Sequence, residues 1–182
     1  MRIIKIIFFF ILVVMFSSCT DESTVVVENQ YFFDLKTFFK QEQEQSKNIK
    51  KIIKKATIDG FVEEKTMDSF DLEKELALFI DSDINKVAWL DKYTVDSLFN
   101  NNLLTRITYI AKEEELKTDL LTIHFDKGLV DSIDIIRKTS SLAAKLEQHL
   151  KYIPTKGYSI ESLQKTSISA AHVLELDVQF VY

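Results

Sequence analysis

Apolar and polar positions divide the chain into regions of different period. Ile6 to Phe16 is an unbroken apolar run, Tyr31 to Leu90 spaces apolar residues three and four apart around one hairpin signal, and from Tyr93 the period is two. A helix hides one stripe and a half-buried strand hides alternate residues, so these periods translate directly into elements.

Between Glu28 and about Gln45, Tyr31, Phe32, Leu35, Phe38, Phe39 and Glu42 recur at helical intervals, with Asp34, Lys36, Lys40 and Gln41 between them. This predicts a first amphipathic helix. Its polar face lacks the cationic excess of membrane-surface helices, so its apolar stripe is expected to pack on the domain's own sheet. Asn48 to Met67 contains Asp59-Gly60, which suits a type I′ turn. A two-residue turn there sets Ile58 opposite Phe61, Ala56 opposite Glu63, Lys55 opposite Glu64 and Lys54 opposite Lys65. The lysine pair repels unless both ends reach water, so a polar, exposed or flap-like hairpin is expected. Asp68 to Leu90 carries Leu72, Leu76, Phe79, Ile80, Ile84, Val87 and Leu90 at helical spacing. It predicts a second helix capped by Asp68 or Ser69 and interrupted or ended near Asp83. Trp89, the only tryptophan, is expected in the core.

Beyond Tyr93 the predicted strands are Thr94 to Phe99, Leu103 to Lys112, Lys117 to Phe125, Leu129 to Lys138, Tyr158 to Ser167 and His172 to Tyr182. In the last of these, His172, Leu174, Leu176, Val178 and Phe180 share a face, while Glu175, Asp177 and Gln179 share the other. Leu142 to Ile153 reads locally as a helix, because Leu142, Leu146, His149, Leu150 and Ile153 fall on one helical face. The segments ELALFIDSDIN, WLDKY and LEQHLKYIPTKGYSIESLQKT, however, resemble a group of small Bacteroidetes-type lipoproteins of unknown function. That resemblance implies a strand leading through a proline-containing turn into another strand, and it carries no catalytic residues. A strand is therefore expected at Leu142 to Ile153. The fold class expected is α+β: two N-terminal helices and a β-hairpin packed with an antiparallel meander of about six or seven strands.

The apolar run at the start has Arg2 and Lys5 before it and Ser17, Ser18 and Cys19 after it. It is shorter than the roughly 20 residues a spanning helix needs, so residues 1–18 read as a lipoprotein signal peptide. Cys19 is the only cysteine and is the expected lipidation site; Phe16 departs from the aliphatic residue usual at that place. Each buried methylene contributes about 0.8 kcal/mol, so a multiply acylated Cys19 would hold the chain on its membrane. Residues 19–28 form the acylated cysteine and a tether, and residues 29–182 a single domain. Asp21 and Glu22 resemble a surface-export signal, and Thr20 lacks the aspartate that argues for inner-membrane retention. The expected location is the outer membrane, with its face open.

Losing Arg2 and Lys5 with the signal leaves 21 basic against 28 acidic residues, net −7. Nucleic acid and anionic lipid surfaces are disfavoured as partners. A lone cysteine allows no internal disulfide. With three glycines (Gly60, Gly128, Gly157) the chain has no GxGxxG, P-loop or GxSxG motif, so nucleotide cofactors and serine-elbow chemistry are not expected.

Three residue groups have the chemistry of a site. Asp81, Asp83 and Asn85 alternate like the start of a calcium loop, but Lys86 and Lys92 stand where glycine and glutamate are required, so helix-terminal capping is expected. His124, His149 and His172 have no i, i+4 partner for zinc. Glu113 to Glu115 lie in a turn, where carboxylates stay solvated and ionised. No catalytic, cofactor or metal residue is assigned. The function expected is a non-catalytic, lipid-anchored envelope protein acting as an interaction or assembly module, partnered by the membrane through Cys19 and by a second envelope protein. The alternative is a carrier or sensor of an apolar ligand in a half-barrel pocket. The C-terminal Phe180-Val181-Tyr182 looks like the end of an outer-membrane barrel, but the strands carry too many charges for one.

Overall fold

The computed structural model describes residues 31–168 and 170–182. Nine strands follow one another as β1 (Lys51–Ile58), β2 (Phe61–Met67), β3 (Tyr93–Asn100), β4 (Leu103–Ala111), β5 (Thr118–Asp126), β6 (Leu129–Ser140), β7 (Ala144–Ile153), β8 (Gly157–Thr166) and β9 (His172–Val181). They form one antiparallel sheet in the order β2-β1-β9-β8-β7-β6-β5-β4-β3. Every neighbour is also a neighbour in sequence except β1 and β9, which join the start of the domain to its end. The helical pieces are α1 (Leu35–Gln45), α2 (Leu72–Glu75) and α3 (Ala77–Ile80), with 3-10 turns at Ser46–Asn48 and Val87–Trp89.

The hairpins follow from their turn residues. Asp59 and Gly60, Asn101 and Asn102, and Lys127 and Gly128 all have positive φ, the backbone that lets a two-residue turn match the twist of its strands. The register predicted for the first hairpin is the one observed, from Ile58 opposite Phe61 to Lys54 opposite Lys65. The expected flap is not: β1 lies between β2 and β9, and the hairpin extends the sheet to nine strands instead of six or seven. Lys54 also avoids the predicted exposure, since its Nζ lies 2.6 Å from Glu75 Oε1. The turn between β7 and β8 depends on Gly157 at φ 139°, where a Cβ would stand 1.9 Å from the Val178 carbonyl oxygen.

Ala144–Ile153 is a strand, as the family resemblance implied. Its helix-forming residues yield to a ladder on both sides, from Ile133 opposite Tyr152 in β6 to Tyr152 opposite Tyr158 in β8.

Both helices differ from expectation. The first begins at Leu35 with Asp34 as N-cap, its carboxylate accepting from the Thr37 N–H at 2.9 Å, while Phe32 and Phe33 lie ahead of it. The second is reduced to the single turns α2 and α3, and its cap is Asp71 in place of Asp68 or Ser69. Ser82 explains the stop: its Oγ donates to Leu78 O at 2.8 Å and its N–H to Phe79 O, so local polar groups take over the last helical carbonyls.

The segment between β2 and β3 starts at one edge of the sheet and ends at the other, so it crosses the sheet's inner face. Ile52, Phe180, Val178, Tyr158, Tyr152, Leu150, Ile135, Ile133, Ile123, Leu121 and Tyr109 on that face are buried beneath Leu35, Phe39, Leu76, Phe79 and Ile84.

Candidate functional site: an open sheet face between two unlike edges

The space between helices and sheet is occupied by aromatic rings in edge contact. Tyr152 lies 5.0 Å from Phe39 and 6.0 Å from Phe79, and Phe79 lies 5.6 Å from Tyr158, centroid to centroid. Each tyrosine hydroxyl has an acid: Tyr152 Oη donates to Glu42 Oε2 at 2.7 Å, and Tyr158 Oη donates to Glu75 Oε2. Burial first, then these carboxylates, pushes both phenols far above their ordinary range, so they stay protonated donors.

Polar ties hold the crossing segment along its length. Arg137 Nη1 donates to Leu78 O at 3.2 Å, and Thr118 Oγ1 donates to Ser82 O at 3.0 Å. Asn85 then clamps the start of the domain. Its Oδ1 accepts from the Tyr31 and Phe32 N–H groups at 3.1 and 3.0 Å, and its Nδ2 donates to Phe32 O and Phe33 O at 3.2 and 3.0 Å. Of the acid-rich group read from sequence, Asn85 is therefore a long-range clamp and not a helix cap. Asp83 is buried with Oδ1 unpartnered, and burial pushes its carboxyl up against the opposing pull of Lys36. Trp89 packs against the core beside Tyr93, with the Lys86 ammonium 3.8 Å from its ring centre.

No helix among the described residues covers the other face of the sheet. Strand alternation puts a cross-strand row of polar side chains there, running Asp96, Thr108, Thr122, Asp134, Lys151, Ser159, Asp177, Lys55 and Glu64 across all nine strands. Asp134 sits at its middle, accepting from Lys151 Nζ at 3.2 Å and lying 3.3 Å from His124 Nε2. Two open depressions of about 460 and 320 Å³ meet at Asp134. Charges that are exposed and mutually paired suit recognition of a polar surface. The three histidines stand apart on β5, β7 and β9, each facing its own carboxylate: His124 with Asp134, His149 with Glu147 at 2.9 Å, and His172 with Asp59 at 2.8 Å. The His172 hydrogen bond, and then the Val173 N–H, hold the Asp59 carboxyl below its usual range. Among the described residues no three His, Cys, Asp or Glu side chains converge to hold a metal ion.

The two sheet edges differ in chemistry. β2 carries Glu63, Glu64 and Lys65 in its middle. β3 is exposed from Thr94 to Asn100 and shows Val95, Leu98 and Phe99 with one charge, Asp96, 3.5 Å from Arg106. Sequence reading missed this contrast, because which strands are edges depends on β1 pairing with β9.

The assignments of Cys19 as lipidation site and of Asp21 and Glu22 as export signal lie outside the described residues. No helix among the described residues is long and apolar enough to cross a membrane. No protein-family model, curated protein or solved structure matches the chain.

Proposed function

We propose that the chain is a non-catalytic, lipid-anchored envelope protein that serves as an interaction or assembly module. The observation that carries this reading is the packed space between helices and sheet. Tyr152, Phe39 and Phe79 are fully buried there, filling with the chain's own rings the place a half-barrel carrier keeps for its ligand. What is left for partners is the outer face, with its alternating charges, and the sheet edges.

The anchor in this reading is acylated Cys19, on the outer membrane. Twelve residue-to-residue steps lead from Cys19 to Tyr31, and at about 3.3–3.6 Å each they span about 40 Å when extended. The Asn85 clamp fixes where that tether begins, on the side of the sheet that bears the helices.

The carrier reading has one observation in its favour. Phe61, Ile58 and Leu174 lie side by side on the inner face beyond the helices, with Phe61 83% exposed. Native mass spectrometry of the protein purified from its own envelope in mild detergent separates the two. A protein partner or a bare chain supports the module, whereas a stoichiometric lipid or other small apolar molecule overturns it in favour of the carrier.

A further inference from the structure

We infer that β3 is the docking strand for a second copy of this chain, the two β3 strands pairing antiparallel across a twofold axis. The Lys112 N–H donates to Lys92 O at 2.9 Å, one step beyond Tyr93 opposite Ala111, the first pair of the β3–β4 register. Antiparallel ladders alternate hydrogen-bonded and non-hydrogen-bonded pairs. The residues bonded to β4 are therefore Thr94, Asp96 and Leu98, while Tyr93, Val95 and Ser97 turn their N–H and C=O groups outward, where no described strand lies.

Register arithmetic selects a second copy as the occupant. Centred on Val95, the pair places Val95 on Val95, Tyr93 on Ser97 and Thr94 on Asp96, so outward groups meet outward groups and no like charges face. The irregularity between Leu98 and Phe99 ends the flat edge, which favours this centre over one farther along. The charged middle of the other edge refuses the same pairing. Registers centred on Glu63, Glu64 or Lys65 of β2 each set identical charges directly opposite, the usual protection of an edge. β3 lacks that protection, and Val95 is 56% exposed. A twofold axis perpendicular to the sheet also keeps both helix layers on one side. Both Tyr31 residues then leave from the same face, as two tethers to one membrane require.

This deepens the module reading, although its geometry stands independently of it. The test is light-scattering mass in mild detergent, with amide hydrogen exchange at Val95 and Ser97, on the full chain, Val95→Lys and the edge control Val62→Lys. The expected result is a dimer for the full chain and Val62→Lys and a monomer for Val95→Lys. Val95 and Ser97 amides should be slow in the dimer and at least about tenfold faster in the variant. A monomeric full chain, or a dimer that survives Val95→Lys, overturns the inference. So does protection that persists in the monomer, which would mean the chain's own earlier residues cover the edge. A monomer leaves the module reading intact; a co-purified lipid removes that reading without touching the edge.

Discussion

Asn85→Ala tests whether one side chain holds the start of the domain. The substitution deletes four hydrogen bonds, of which the one from the Tyr31 N–H is exposed and the other three are partly buried. At about 0.5–1.5 kcal/mol net for each partly buried bond, the loss is about 2–4 kcal/mol. Against a total of about 5–15 kcal/mol for a domain, the fold survives but weakens. Urea unfolding followed by Trp89 fluorescence should show the midpoint falling by about 1–2 M, taking a slope of about 2 kcal/mol per molar. The Phe32 amide, held by Oδ1, should lose its hydrogen-exchange protection. Asn85→Asp sharpens the result. It keeps the two acceptor contacts but aims a carboxylate oxygen at the Phe32 and Phe33 carbonyls, so it should be worse than alanine at neutral pH and recover as that carboxyl is protonated. A loss below about 0.5 kcal/mol, with the Phe32 amide still protected, would refute the clamp.

Four further outcomes are expected. Gly157→Ala must push Cβ into the Val178 carbonyl oxygen and strain a positive φ, so its melting temperature should fall by more than about 10 °C. Gly128→Ala meets nothing within 4 Å and should cost only about 1 kcal/mol. Asp83→Asn should raise the urea midpoint at pH 7 and change little near pH 3. The folded carboxyl titrates above its ordinary 3.8, so the native state holds the proton longer than the unfolded chain and stability falls as pH rises from 3.8. Equal effects at both pH values would show that packing, not ionisation, is responsible. Tyr152→Phe leaves Glu42 buried without its 2.7 Å donor and should cost about 1–3 kcal/mol by calorimetry, and a neutral result would mean that water replaces the hydroxyl.

Much of the sheet was legible because strand alternation and turn chemistry are local. Asp59-Gly60 and the paired asparagines at 101 and 102 announce hairpins through the positive φ they tolerate, and the register of β1 on β2 follows from turn length alone. The face of β9 that holds Val178 and Phe180 was equally readable. The second helix is shorter than its spacing implies because a local bond from Ser82 and distant bonds from Asn85 compete with it. Leu72, Leu76, Phe79 and Ile84 do face the core, yet Ser82 and Asn85 spend their hydrogen bonds on Leu78 and on residues 31–33 instead of on continuing a helix.

By itself, then, the sequence determined the strands, their turns and the buried side of the last of them. Only the tertiary structure decided that β1 pairs with β9, because that contact joins residues more than a hundred positions apart and no local rule encodes it. From that one pairing follow the nine-strand width, the path of residues 68–92 across the inner face and the identity of β2 and β3 as edges. Glu42 shows the same division at a single residue: periodicity placed it on the helix's buried stripe, and only Tyr152, 110 positions away, explains how a carboxylate can stay there.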